Sequence, residues 1–290
     1  MRKEFYEEYY RIETGHWWFV GRRRILLNLL NKYLPTTPRG ATSSILDVGC
    51  GTGAMLPYLA HYGDVQGIDA SPEAVQFSRE RGLHNVQQAN GLELPFDDSC
   101  FDLVTALDVV EHIDDEQLVL REMFRVLRPG GTLLVSVPAY NFLWGPQDEI
   151  SHHKRRYTAR KLVTQMEKAG FRCVKLSYFN TFLFPIVAVV RILKLQTLFS
   201  RELRSDCGVM GQGRLNGLLA LLFSLEALLV SRFDLPFGVS IVGLMRKPEA
   251  VGDVVSRPRV MAIEASPLNA GKLHRAALTR GQGDDIARTS

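Results

Sequence analysis

The sequence predicts an α/β protein built on a parallel sheet with crossover helices. Two observations carry this. From residue 44 to residue 137, short β-branched runs alternate with helical patterns. The stretch ILDVGCGTGA places a glycine-rich turn between the first strand and the first helix, where backbone amides can approach a ligand closely.

Taken in order, the chain opens on EFYEEYYRIETGHWWFVGRRRILLNLL, too dense in aromatics for a solvated leader. Two helices broken at Gly15 are expected there, over the mouth of the site, with Tyr9, Trp17, Trp18 and Phe19 as apolar cover. Strands follow at 44–48, 65–69, 85–88, 101–106 and 131–137, with helices at 54–62, 72–82 and 115–127. The second of these helices has Ser71 as N-cap, Pro72 at its first position and Glu73 just inside, all suited to the positive end of a helix dipole. A helix at 158–169 ended by Gly170, a strand at 172–177 and a last strand at 238–245 complete the pattern. The intended division is a helical cap over 1–43, a main domain over 44–247 with an apolar helical insert at about 179–237, and a disordered tail over 248–290.

Composition narrows the function. With 290 residues and 46% hydrophobic content the chain fills an ordinary core, which excludes disorder throughout. A net charge of +4 and a pI near 8.9 fall short of the clustered excess that marks nucleic-acid binding, so no nucleic acid is expected as partner. Cys50, Cys100, Cys173 and Cys207 form no CxxC pair, so a disulfide framework and a zinc ribbon are both unsupported and a reducing cytoplasm fits. MRKEFYEEYY lacks the apolar core of a signal peptide.

The glycines do not by themselves select a ligand, because Gly49, Gly51 and Ala54 also satisfy the loose dinucleotide form G-x-G-x-x-A. Charge separates the readings. Asp47, two residues before the first glycine, would repel a pyrophosphate but suits a ligand carrying an ammonium and a sulfonium, which favours S-adenosylmethionine over NAD. Asp69 ends the second strand, where a carboxylate accepts from two ribose hydroxyls or, alternatively, caps the next helix.

ILDVGCGTG, GIDASPEAV, ANGLELPF, FDLVTALDVVEHI and REMFRVLRPGGTLLVSVP, in this order, resemble the class I S-adenosylmethionine-dependent methyltransferases of the methyltransferase-11 type. The resemblance spans residues 44–138. It implies a doubly wound, seven-stranded Rossmann-like sheet of order 3-2-1-4-5-7-6 with the seventh strand antiparallel, which makes 172–177 the sixth strand and 238–245 the seventh. It also places Gly49, Gly51 and Gly53 around the methionine part of the cofactor and Asp69 on the ribose. Asn90 falls near the adenine amino group, where many members carry aspartate, and Leu107 and Asp108 fall at the mouth facing the sulfonium. The implied activity is methyl transfer to a small-molecule, lipid or lipid-linked saccharide acceptor. The alternative is a non-catalytic cofactor-binding module that holds a membrane or protein partner, for which Asn90 is the hint.

Such a reaction needs mainly positioning of a nucleophile against an activated methyl, with a general base only for a protonated acceptor. Arg22 or Arg23 could reach the methionine carboxylate, or pair with Glu7, Glu8 or Glu13. The insert has no charge from Leu176 to Val190, yet is too short for a confident span. With Arg191, Lys194, Arg201, Arg204 and Arg214 beside it, it reads either as a hairpin in a membrane interface on the cytoplasmic face, or as a lid or dimer surface.

DEISHHKRRYT follows the fifth strand, on the face where such sheets bind ligands. Neighbouring histidines in an extended segment point apart and no third ligand is evident beside His152 and His153, so no metal is expected. The spacing D-x-x-x-x-H-x-R-R-Y resembles a motif in a subset of these methyltransferases near polysaccharide and lipid pathways. That resemblance makes His153 a candidate general base oriented by Asp148, and Arg155, Arg156 and Tyr157 candidate acceptor-binding residues. The structural alternative has Asp148 pairing an arginine to pin the loop and Tyr157 packing beneath it.

Overall fold

The computed structural model describes residues 3–34, 42–193 and 214–249. Helices α1 (Lys3–Ile12) and α2 (Trp17–Tyr33) come first, separated by a turn containing Gly15. Then follow β1 (Ser43–Val48), α3 (Leu56–Leu59), β2 (Gly63–Asp69), α4 (Pro72–Glu80), β3 (Val86–Gln88) and β4 (Phe101–Leu107). The second half holds α5 (Glu116–Val126), β5 (Leu127–Pro138), α6 (Pro146–Ile150), α7 (Ala159–Lys168), β6 (Arg172–Phe179), α8 (Phe184–Ile192), α9 (Arg214–Arg232) and β7 (Ser240–Arg246).

The seven strands lie in the order β3-β2-β1-β4-β5-β7-β6, the order the resemblance implies. β7 is antiparallel to both its neighbours and the other pairings are parallel. Side chains alternate between the faces as the strand period requires. Leu46, Val48, Val104, Leu133 and Val135 face α5 and α7, whereas Ile45, Leu103, Leu134, Val242 and Leu244 face α2 and α9.

Local signals hold where the backbone enforces them. Ser71 caps α4 by accepting from the Ala74 amide at 3.3 Å, and Thr158 caps α7 by accepting from the Lys161 amide at 3.2 Å. Gly170, at φ +100°, ends α7. The helix expected at 54–62 shrinks to the four residues of α3, because the glycine turn runs on through Gly53 at φ +81° and leaves little chain before β2.

The cap is divided. Only α1 and the first part of α2, as far as Leu26, reach the cavity; Ile25, Leu29 and Leu30 lie across the sheet and share a core with Ile45 and Leu103. α9 packs on α2 so closely that a Cβ at Gly21 would stand 2.3 Å from Phe223 Cδ1. Leu219, Phe223, Ala227 and Val230 of α9 are buried in that contact, the three larger side chains each stabilising the fold by about 1.5–3 kcal/mol. Its other face exposes Leu218, Leu221, Leu225 and Leu228, and α8 exposes Ile186, Val189 and Ile192. The described helices of the insert are therefore part core and part bare apolar surface. Glu226, the one acid in α9, is buried and accepts from the Phe182 amide at 2.8 Å, which ties the start of α8 to α9. Among the described residues no helix is long and apolar enough to cross a membrane. Lys194, Arg201, Arg204, Cys207 and the tail from 250 onward lie outside the described residues.

Candidate active site

At the carboxyl ends of the parallel strands lies a cavity of about 1860 Å³, larger than the roughly 300–1,000 Å³ of an ordinary ligand pocket. Asp47, Gly49, Gly51, Asp69, Asn90, Leu107 and Asp108 all line it. One end is formed by backbone. Gly49 and Gly51 adopt φ +69° and +57°, in the left-handed region. A Cβ on Gly49 would meet Val109 Cγ2 at 2.5 Å, while nothing lies within 4 Å of where a Cβ on Gly51 would stand. Gly53 is placed differently: it does not line the cavity, and its missing Cβ makes room for Leu83 and Ser78 instead.

Asp69 locks this loop, one oxygen accepting from the Gly51 amide and the other from the Ser71 amide, both at 2.9 Å. Each oxygen keeps further acceptor capacity toward the cavity. Asp47 is fully desolvated beside the Thr105 hydroxyl that donates to it, and burial pushes its carboxyl up to about 7 against the Thr105 and Arg22 contributions. Asn90 sits at the exposed rim, its Oδ1 accepting from the Leu92 amide at 3.0 Å.

The N-terminal helices close this end. Glu13 accepts from the Thr52 hydroxyl, and Arg81 donates to the Thr52 carbonyl at 2.8 Å and the Tyr10 carbonyl at 2.7 Å. The turn after α1 is thereby fastened to the glycine loop. Tyr6 reaches in beside Asp69 and Ser71, and burial with the Asp69 charge pushes its phenol up to about 12. Tyr9, Trp17, Trp18 and Phe19 line the cavity as the sequence predicts, and Tyr9 accepts from Gln147 at 2.7 Å. Arg22 does not pair with Glu7, Glu8 or Glu13: it pairs with Asp108 at 2.9 Å and donates to Ser136 at 3.2 Å, while Ser136 donates to Asp108 at 3.0 Å. Asp108 itself is a non-glycine residue at φ +60°. Arg23 stacks on Tyr58, its guanidinium 4.4 Å from the ring centre.

The other end is built from side chains. Asp148 is buried, accepting from the Gly145 amide at 2.8 Å, from Arg156 at 2.8 and 2.9 Å through both oxygens, and from His153 Nδ1 at 2.8 Å. Burial alone would raise its carboxyl, yet His153 and Arg156 hold it at about 2. With Nδ1 committed, His153 presents Nε2 toward Glu111, 4.0 Å from Oε1. His112 stands beside it, ring centres 4.6 Å apart at 76°, and burial lowers its imidazole to about 4. Burial and the Asp108 charge push Glu111 well up.

The three residues of the RRY run, expected to bind the acceptor, are held by partners within the protein. Tyr157 is buried in the core and donates to Glu116 rather than lining the cavity. Arg155 also lies outside the lining and pairs with Glu116 at 3.4 Å. Arg156 lines the cavity, but its guanidinium fork is spent on Asp148 and the Ala139 carbonyl. This is the structural alternative, an arginine pinning the loop with the tyrosine beneath it. The histidine pair splits as expected, His152 exposed at φ +56° and His153 turned inward. Beside Asp148, the neighbours of His153 are Glu111 and His112 of VEH, to which the sequence assigns no role; their one signal is two ligand-type residues just past the fourth strand.

Residues 46–135 match the methyltransferase domain family model. Over that span the chain carries an S-adenosylmethionine-dependent methyltransferase domain. It is 29% identical over 187 residues to ajmaline N-methyltransferase of Rauvolfia serpentina, a match covering 59% of this chain and 63% of that protein. It is 35% identical over 137 residues to a probable S-adenosylmethionine-dependent methyltransferase of Mycolicibacterium smegmatis, covering 46% and 53%. Demethylmenaquinone methyltransferase of Listeria welshimeri is 41% identical over 101 residues, covering 31% and 43%. The chain spans less than two thirds of the length of these relatives.

Among solved structures, a putative methyltransferase in complex with the Trm112 methyltransferase activator of Haloferax volcanii aligns with TM-score 0.55 at 17% identity, over 87% of this chain and 96% of that one. A Thermotoga maritima methyltransferase described as a possible histamine N-methyltransferase aligns with TM-score 0.52 at 20% identity, over 84% and 97%. At these identities the likeness shows the fold. The methyltransferase domain takes S-adenosylmethionine as cofactor. The open space above Gly51 and the desolvated carboxylates of Asp47 and Asp69 fit a ligand that combines a ribose with two cationic groups.

Proposed function

We propose that this chain transfers the methyl group of S-adenosylmethionine to a lipid or lipid-linked saccharide acceptor at the cytoplasmic face of a membrane. One observation carries the reading: beyond the glycine loop the cavity continues to a wall made by Leu183, Ile186, Val187 and Val190 of the insert, beside its bare apolar surface. The small-molecule acceptors in the names of the ajmaline and demethylmenaquinone methyltransferases support an acceptor of that size class.

The cofactor supplies an electrophilic methyl on a sulfonium. The chain's residues position the partners. Gly49, Gly51 and Asp69 hold the cofactor, and Asp47 favours its positive charge. Arg22 keeps a buried Nε with no hydrogen-bond partner, the atom left for the methionine carboxylate. Leu107 and Asp108 border the reacting methyl. Acceptor activation falls to the His153–Asp148 pair, whose Nε2 faces the acceptor side and can accept a hydroxyl or ammonium proton. The outward faces of α8 and α9 rest on lipid.

Incubation of the purified chain with methyl-labelled S-adenosylmethionine and separated lipid and polar extracts tests this. Label in the lipid fraction is expected. Label only in the polar fraction removes the lipid acceptor and keeps the methyltransferase. A chain that binds cofactor but labels neither fraction is the non-catalytic module.

A further inference from the structure

The buried cluster at the acceptor end contains more than a histidine base needs. Glu111 is fully buried and lines the cavity, yet neither carboxylate oxygen has a hydrogen-bond partner. A buried carboxylate left this way costs several kcal/mol unless a proton or a cation compensates it. Among the described residues, ligating atoms of Glu111, His112 and His153 all lie within 4.8 Å of one another. A tetrahedral shell with bonds of about 2.1 Å separates its ligands by about 3.4 Å, so shifts of about 1 Å close the set around one ion.

The surroundings are those of a ligand shell. His153 gives its Nδ1–H to Asp148 at 2.8 Å, which fixes the tautomer and leaves the Nε2 lone pair toward Glu111. Asp148 is in turn held by Arg156 and the Gly145 amide. The Lys154 amide donates to the Glu111 carbonyl at 2.8 Å, which clamps the two contributing segments together. Asp108 pairs with Arg22 and Asp148 with Arg156, so neither arginine is paired with Glu111.

We propose that Glu111, His112 and His153 bind a first-row divalent cation that presents the acceptor's hydroxyl to the methyl group. Two imidazoles and one carboxylate suit Zn²⁺, Mn²⁺ or Co²⁺ rather than Ca²⁺, and three protein ligands at a cavity wall leave room for the acceptor oxygen. Coordination acidifies that hydroxyl. The acceptor oxygen bonds the methyl carbon, the sulfur keeps the electron pair of the broken S–C bond, and the hydroxyl proton leaves to water, since His153 Nε2 is then a ligand and the cation replaces it as the activating group. The inference rests on the methyltransferase reading for its chemistry and on the cluster alone for its binding site.

The test is titration of the metal-free full chain with Mn²⁺ followed by electron paramagnetic resonance, beside calorimetry with S-adenosylmethionine. One equivalent of Mn²⁺ is expected, weakened at least about tenfold in Glu111→Gln and in His153→Gln. Retained S-adenosylmethionine binding shows that these variants are folded. Chelator is expected to abolish transfer and Mn²⁺, Co²⁺ or Zn²⁺ to restore it. No bound Mn²⁺, or binding equal in both variants, overturns the metal site; transfer that then survives chelator leaves the methyltransferase with His153 as bare base. Stoichiometric Mn²⁺ binding without transfer to any acceptor supports the site while the methyltransferase reading falls.

Discussion

The two ends of the cavity are built by different means. At the cofactor end, backbone amides of one turn and the carboxylate that closes the next strand do the holding, all within residues 47–71. At the acceptor end, side chains from β4's exit, the segment after β5 and the helical insert converge across more than seventy residues of sequence. A backbone-built site tolerates few residue types at a few positions. A side-chain-built site can change its chemistry without changing its frame, which is how one cofactor fold serves many acceptors.

The largest expected effect strikes the acceptor end. Arg156→Ala leaves Asp148 buried and charged without its fork, and chemical denaturation should show a loss of about 3–5 kcal/mol. A loss under about 1 kcal/mol would mean that the loop is held by something else and that the two ends differ less than described.

Next comes a titration at the cofactor end. Asp47 lies at about 7 in the folded chain against an ordinary 3.8, so the folded state holds a proton that the unfolded state has released between those values. Its contribution is therefore fully present below pH 4 and lost as pH rises through 7. Asp47→Asn, which keeps an acceptor for Thr105, should gain on the order of 3 kcal/mol relative to the parent at pH 8 and nothing at pH 4, read by urea denaturation at both. An equal difference at both pH values would show that Asp47 does not titrate there.

Gly49→Ala sharpens the claim that the cofactor end is backbone. The left-handed φ costs about 1–2 kcal/mol and the new Cβ meets Val109, so S-adenosylmethionine affinity should fall at least about tenfold by calorimetry while Mn²⁺ binding at the other end persists. Loss of both would couple the ends.

The smallest effect on stability is expected on the insert. Leu221→Gln with Leu225→Gln changes only exposed side chains, so stability should hold within about 0.5 kcal/mol per site while co-sedimentation with anionic vesicles falls. Unchanged sedimentation would assign that face to a protein partner.

The sequence by itself determined the sheet class, its element order, the glycine turn with Asp47 and Asp69, and the helical break at Gly15, because strand period, capping residues and positive-φ glycines act within a few residues. It also carried the His153–Asp148 pairing as a five-residue spacing. Only the tertiary structure decided that α2 belongs to the sheet's layer, that Arg22 answers Asp108, that Tyr157 is core and Arg156 a clamp, and that VEH meets His153. The physical reason is adjacency: β4 and β5 are hydrogen-bonded neighbours, so residues leaving their carboxyl ends share one crevice although some forty positions separate them.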